Sequence, residues 1–360
     1  MINYTSNHWK KINNSIDHKE ELKNFRRNKS KSLGMDDANK SSILNIAYYN
    51  FMKKKFGNEL KKLIFENNIG NSNFILYHDG IKIDLAELKS IYYSKELEKS
   101  KKVSKMILEI GCGFGSFASK IIKEGNKYVA ISLKESLLCT YYFLSENFKD
   151  KKIFISTNEN FTLDEDCLNN FDIILLSPQN SISNKIKFDT VVSINTFQEI
   201  DELVAQYYKD NLFINNLTND AMFLLVNNYF SESSFFKSNF KINVLDGNWK
   251  IIDSKRSEFF AHDHLLVLER NFNSKHKLKL QIELDKINVE ENIYEELNIN
   301  SRKILNRLFL FCMYLFLRIF NNKYKSKFYL KKILYRKKIK AIKKLSNYKV
   351  YEHQIKDLYY

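Results

Sequence analysis

Residues 106–115 read Met-Ile-Leu-Glu-Ile-Gly-Cys-Gly-Phe-Gly and hold the densest chemical pattern in the chain. An apolar run ends around Glu109, and Gly111, Gly113 and Gly115 follow at alternating positions. A helical pattern then runs from Ser116 to Glu124. The spacing predicts a strand, a tight turn and a helix start. Glycine in such a turn lets the backbone approach a nucleoside-type cofactor, because a Cβ there would collide with it. The rival reading is a dinucleotide fingerprint, G-x-G-x-x-G, but its third slot is Ser116. An acid two residues before the first glycine suits S-adenosylmethionine, whose methionine end is positively charged. Another nucleotide, or a glycine turn with no ligand, stays open on these residues alone. Glu109, Gly111, Cys112, Gly113 and Gly115 are the first candidate cofactor-binding residues.

The elements that must position them alternate between strand and helix over residues 103–270. Strands are expected over 103–110, 127–132 and 151–156, with a helix over 135–148. Two segments look alike, Phe171-Asp172-Ile-Ile-Leu-Leu and Phe188-Asp189-Thr-Val-Val-Ser-Ile. They lie so close in sequence that the strand order is not fixed by pattern. A helix over 198–217 and a strand over 221–227 follow. Strands over 249–257 and 264–270 can pair antiparallel. Such alternation implies an α/β fold, a Rossmann-like, mostly parallel sheet covered on both faces, with an antiparallel strand pair at its C-terminal end. Residues 1–100 read as a helical N-terminal region, 101–272 as the cofactor-binding domain, and 273–360 as a basic, helical C-terminal extension.

Ligands of such sheets sit beyond the carboxyl ends of the strands. The second strand ends in Ser132, where an acid would take two ribose hydroxyls; Ser132 gives one hydrogen bond without the charge. Glu135, three residues on, is the candidate substitute. Asn195, Gln198, Asn227 and Tyr229 follow later strands and are candidate substrate-binding residues, though an asparagine there also fits a cap or turn. Glu199 is a candidate base or hydroxyl acceptor, or an acid at a helix start. His262, in Ala261-His262-Asp263-His264, is the second candidate catalytic residue, because a histidine titrates near working pH. The spacing there matches no metal-ligand pattern, and no metal is expected.

Several of these segments together resemble the bacterial sugar O-methyltransferase family. They are Asn24-Phe25-Arg26-Arg27, Glu109-Ile-Gly-Cys-Gly-Phe-Gly115, Ile131-Ser-Leu-Lys-Glu135 with Tyr141-Tyr142, Ser193-Ile-Asn-Thr-Phe-Gln-Glu199, and Val226-Asn-Asn-Tyr229. The resemblance spans roughly residues 8–270. It implies the class I methyltransferase fold, S-adenosylmethionine as cofactor and a sugar hydroxyl as acceptor, on a nucleotide-sugar, a surface polysaccharide or a lipid-linked glycan. Ser132 and Lys134 depart from the family's usual acid and proline. That departure puts the ribose contact in doubt and leaves a degenerate, non-catalytic relative as an alternative.

Composition sets the remaining bounds. The 360 residues are 44% hydrophobic, with one proline and nine glycines, enough for a full core and too little glycine for a repetitive array. Four scattered cysteines fit a reducing compartment rather than a disulfide frame or zinc site. With the polar start, Met1–Lys11, they give an expected cytoplasmic location. The net charge of +16 is concentrated: residues 301–350 hold sixteen Lys or Arg and no Asp or Glu, and the rest holds 42 of each. This basic, partly amphipathic stretch suits anionic lipid at the inner membrane face. Nucleic acid is the less favoured partner, with an RNA methyltransferase as the corresponding alternative function. A solvated helical packing element is the plain alternative.

Overall fold

The computed structural model describes residues 22–27, 42–72, 75–78, 80–100, 104–156, 158, 160–228, 248–260, 263–271 and 283. Tyr229, His262 and the basic stretch 301–350 lie outside the described residues. Among the described residues no helix is long and apolar enough to cross a membrane.

The N-terminal part contains helices Ser42–Phe56 (α1) and Glu59–Leu63 (α2), the hairpin Leu76–His78 (β1) with Ile81–Ile83 (β2), and helix Leu85–Ser100 (α3). The sheet region runs Met106–Ile110 (β3), Ala118–Ile121 (α4), Lys127–Ile131 (β4), Lys134–Asn147 (α5) and Ile153–Ile155 (β5). It continues through Thr162–Leu163 (β6), Glu165–Asn170 (α6), Ile173–Leu176 (β7), Ser181–Ile182 (β8) and Phe188–Ile194 (β9). Helix Glu202–Tyr207 (α7), then strands Leu217–Asn228 (β10), Trp249–Arg256 (β11) and Asp263–Arg270 (β12), complete it.

Eight strands form one sheet in the order β11-β12-β10-β9-β3-β4-β7-β5. β12 runs antiparallel to both its neighbours, and every other neighbouring pair is parallel. The strand order reverses at β3, with β4 on one side and β9 on the other. This is the Rossmann-like arrangement, and the reversal places a crevice beyond the end of β3. The central strands are apolar on both faces, as a sheet covered on both sides requires. Ile107, Tyr128, Ala130, Ile173 and Val226 face one layer, where Tyr49, Met52, Ile91 and Tyr92 of α1 and α3 join the same core. Leu108, Ile110, Val129, Ile174 and Leu225 face the other, against Val204, Ala205, Leu212 and Phe213.

The two Phe-Asp segments are both strands, on opposite sides of the β3–β4 pair, and their aspartates do the same work. Asp189 accepts the backbone N–H of Lys105 and Met106 at 2.9 and 3.2 Å, at the start of β3. Asp172 accepts that of Lys152 at 3.0 Å, at the start of β5. Each carboxylate thus fixes the register of a neighbouring strand at the end of the sheet away from the crevice.

Two helices are shorter than their patterns predict. The stretch 116–124 yields only α4. Asn126 folds back to bond the Ile121 carbonyl at 2.7 Å and the Lys123 N–H at 3.0 Å, ending the helix early. The stretch 198–217 starts as a turn at 197–200. Its helix begins only where Asp201 caps the Leu203 N–H at 3.0 Å, and it widens to a π-helical segment, Tyr208–Phe213, before β10.

Candidate functional site

The turn after β3 is built on left-handed backbone: φ is +80° at Gly111, +57° at Gly113 and +89° at Gly115. The Gly111 N–H bonds the Ile131 carbonyl at 2.8 Å, tying the turn to the end of β4. At two of the three positions the close neighbour is the protein itself. A Cβ on Gly111 would lie 2.1–2.5 Å from the Thr196 side chain, and one on Gly115 would lie 3.0 Å from Thr140 and 3.2 Å from Leu144. The turn is therefore wedged between the corner after β9 and helix α5. Thr196 Oγ1 also donates to the Gly111 carbonyl at 3.2 Å, and Thr140 Oγ1 to the Gly113 carbonyl at 2.9 Å.

Glu109 lies directly beneath this turn and is 1% exposed. The Tyr128 hydroxyl donates to its Oε2 at 2.6 Å, and no ion pair to it forms among the described residues. Burial pushes its carboxyl up to about 8, with the Tyr128 hydrogen bond pulling the other way. Cys112 is also buried, its Sγ 3.3 Å from Thr140 Oγ1. Burial first, and the nearby Glu109 second, raise its thiol to about 12, so it is an inert packing thiol rather than a nucleophile.

Ser132 follows β4, half-buried, with its N–H on the Leu176 carbonyl at 3.1 Å. Glu135 is half-buried in the first turn of α5. Asn195, just past β9, adopts φ +57°, and its N–H bonds the Val226 carbonyl at 2.6 Å. Among the described residues its buried Oδ1 has no hydrogen-bond partner, nor does the buried Ser193 Oγ two residues earlier. A left-handed asparagine with an idle buried acceptor at a strand end marks a strained position that a ligand can satisfy. The ends of β3, β4 and β9 thus bring Glu109, the glycine turn, Ser132 and Asn195 to the same end of the sheet, with Glu135 in the first turn of α5.

Gln198 and Asn227 are placed differently. Gln198 is 1% exposed, and its Oε1 accepts the Asn228 N–H at 2.6 Å, so it clamps the end of β10. Asn227 is buried within β10 opposite His264 of β12. Glu199 sits half-buried in the turn before α7, its N–H on the Thr196 carbonyl at 2.9 Å.

The aspartate of the Ala261-His262-Asp263-His264 run lies at the same rim, with partners that its spacing does not show. Asp263, at the start of β12, is fully buried; Tyr93 donates to its Oδ2 at 2.6 Å, and Lys89 Nζ lies 3.5 Å away. Burial, then the adjacent Asp263, hold the Tyr93 phenol well above its ordinary range. Lys89 and Tyr93 are one helical turn apart on α3, a spacing that pairs them but gives no hint of β12. His264 points to the opposite face, bonded to Ser254 Oγ at 2.9 Å. Burial, then Arg256, push it down to about 3, so it stays neutral at working pH. Among the described residues no group of three or more His, Cys, Asp or Glu could hold a metal ion.

No family model matches the chain, and no curated protein matches it. Among solved structures it is similar to the glycopeptide N-methyltransferase MtfA complexed with S-adenosyl-L-homocysteine, at 12% identity and TM-score 0.36, covering 50% of this chain and 89% of that one. It is also similar to a TehB-like SAM-dependent methyltransferase from Corynebacterium glutamicum, at 13% identity and TM-score 0.33, covering 50% and 87%. The pyocyanin biosynthetic protein PhzM matches at 11% identity and TM-score 0.34, and there the alignment spans 51% of this chain and about half, 55%, of the other. Likenesses this distant transfer no activity; the fold rests on this chain's own strand order.

Proposed function

We propose that the chain is an S-adenosylmethionine-dependent methyltransferase that acts on a sugar hydroxyl. The observation that carries this reading is Glu109: a carboxyl sealed under a left-handed glycine turn, with a phenol and, among the described residues, no cation beside it. Burying such a group costs free energy that a cation in the crevice would recover. The methionine end of the cofactor is a cation of suitable kind. The idle Asn195 Oδ1 next to the turn supplies an acceptor for an ammonium or hydroxyl.

When bound, the cofactor supplies an electrophilic methyl group on a sulfonium. The chain's own contribution is to hold that group and an acceptor oxygen close and in line, which can supply most of the acceleration. Glu109 and the glycine turn would hold the donor, with Ser132 and Glu135 towards the ribose. An acceptor hydroxyl needs a partner for its proton, and Glu199 follows the strand end beside the donor. Asp263 and Tyr93, both fully buried, form with Lys89 a polar cluster two strands further on that holds α3 against the sheet beside the site. The sugar, rather than another hydroxyl compound, rests on the segment resemblance and not on this geometry.

The test is calorimetric titration of the purified protein with S-adenosylmethionine, followed by transfer of radiolabelled methyl to glycan, nucleotide-sugar and RNA fractions. Binding with label in a sugar fraction supports the proposal. Label in RNA alone would refute the acceptor, and no binding at millimolar cofactor would refute the reading as a whole.

A further inference from the structure

The segment Asn24–Arg27 lies about eighty residues before the glycine turn yet is packed against it. Arg26 is 3% exposed. Its guanidinium makes a two-point bond to Asp84, at 2.8 and 3.0 Å, and stacks over the Phe114 ring at 4.7 Å. Phe114 stands between Gly113 and Gly115, so it is a side chain of the turn itself. Phe25 meets the same ring at 5.5 Å, and Phe143 of α5 closes on it at 5.1 Å. The arm is fixed in turn. The Arg26 N–H bonds the Gly70 carbonyl at 2.9 Å. Gly70 has φ +83°, and a Cβ there would sit 2.5–2.8 Å from Phe25 and Arg26. Asp84 also accepts the Ala86 N–H at 3.1 Å at the start of α3. The end of the turn is bonded to the same helix through Ser116 Oγ and Ser90 Oγ at 2.9 Å.

These contacts share one mechanical consequence. The turn has little side-chain mass of its own, because three of its five residues are glycine. Its conformational freedom is limited by what holds Phe114, and a planar, delocalised cation under a ring does so with a defined distance and tilt. A lysine would keep the charge but lose both the two-point bond and the stacking plane.

We propose that Arg26 is a positioning residue for the cofactor turn, acting through Phe114 so that residues 24–27 and the cofactor site are energetically coupled. The proposal rests on the reading of the turn as an S-adenosylmethionine site. Coupling of this kind is reciprocal. Holding Arg26 tightens cofactor binding, and bound cofactor steadies the arm.

The experiment uses the full chain and S-adenosylhomocysteine as probe. Dissociation constants are measured for the unaltered protein, Arg26→Lys, Phe114→Leu and Arg27→Ala. Phe114→Leu keeps the Arg26–Asp84 pair and so stays informative if Arg26→Lys does not fold. Backbone amide exchange at residues 24–27 is followed with and without probe. Both Arg26→Lys and Phe114→Leu should bind about ten-fold more weakly. Arg27→Ala, which removes an exposed arginine, should bind as the unaltered protein does. Saturating probe should slow exchange at residues 24–27 by a comparable factor. Unchanged affinity in the folded variants, or exchange at 24–27 indifferent to probe, overturns the coupling. Failure of the unaltered protein to bind the probe overturns the cofactor reading instead.

Discussion

Glu109→Gln separates what the buried carboxyl costs the fold from what it offers a ligand. Glutamine keeps the shape and can still accept the Tyr128 hydroxyl, but it does not titrate. In the native protein burial raises the Glu109 carboxyl from an ordinary 4.5 to about 8. Between those values the native state binds a proton that the unfolded chain has lost, so stability must fall as pH rises through that window. Below about 4.5 both states are protonated and the effect vanishes; above about 8 the whole cost is present. At about 1.36 kcal/mol per pH unit the ceiling is on the order of 5 kcal/mol. Denaturant unfolding of both proteins at pH 5.5, 7 and 8.5 reads this directly. The variant should gain on the unaltered protein by about 2–3.5 kcal/mol between the lowest and highest pH. Two curves that run parallel across the range would refute the assignment of a buried, cation-free carboxyl.

The same carboxyl makes the opposite demand on ligand binding. A cationic ligand favours the ionised form, so binding near pH 7 must release close to one proton. Affinity for S-adenosylmethionine should then rise by up to about ten-fold per pH unit until pH 8 and level off. Titrations in buffers of different ionisation enthalpy count the proton. Glu109→Gln should bind weakly and release none. Stability and affinity thus move in opposite directions with pH through one group. A general weakening of the protein in alkali would lower both, so it cannot imitate this pattern.

Further outcomes follow from the packing of the same site. Gly111→Ala places a Cβ against Thr196 on backbone at φ +80° and should cost about 3 kcal/mol or more in chemical unfolding; a loss under about 0.5 kcal/mol would contradict the close approach. Asn195→Gly suits the left-handed backbone and should leave the unfolding midpoint within about 1 kcal/mol while lowering methyl transfer, a split that a merely structural asparagine would not give. Tyr93→Phe should cost about 1–2 kcal/mol by removing the donor to Asp263, measured against the unaltered protein at neutral pH. Ser132→Asp restores a charged acceptor at the end of β4 and should tighten cofactor binding about ten-fold; weaker binding would place the ribose elsewhere.

Much of the sheet was legible because its strands are short apolar runs ended by turns, and the glycine turn because no other stretch puts three glycines beside an acid. What sequence withheld was register and partnership. Phe171-Asp172 and Phe188-Asp189 looked interchangeable because both aspartates bind the start of a neighbouring strand, and which neighbour depends on a sheet order that local pattern does not contain. Glu109 was found, but Tyr128 was not, since that contact depends on β3 and β4 pairing with Glu109 opposite Ala130. Asp263 and Tyr93 lie 170 residues apart, and they meet with Lys89 only after α3 lies across the sheet. The helix pattern over 198–217 misled because Gln198 has the periodicity of a helix start but spends its amide oxygen on β10.

The glycine turn also shows why such a motif is weak evidence on its own. If glycines are kept so that a cofactor can approach, their missing side chains should face open space. At Gly111 and Gly115 they face Thr196, Thr140 and Leu144, so the fold requires both residues whether or not anything binds. Their presence cannot separate an active enzyme from a scaffold that has lost its ligand. Glu109 can. A scaffold gains nothing from a buried carboxyl that has no ion pair among the described residues and lowers stability near neutral pH, and a neutral residue of similar shape would relieve it. On the proposed reading, a positive charge in the crevice recovers that cost. That makes Glu109→Gln the deciding variant. A protein that becomes more stable and loses its ligand has given up a working site, whereas one that becomes more stable and binds as before never used the charge.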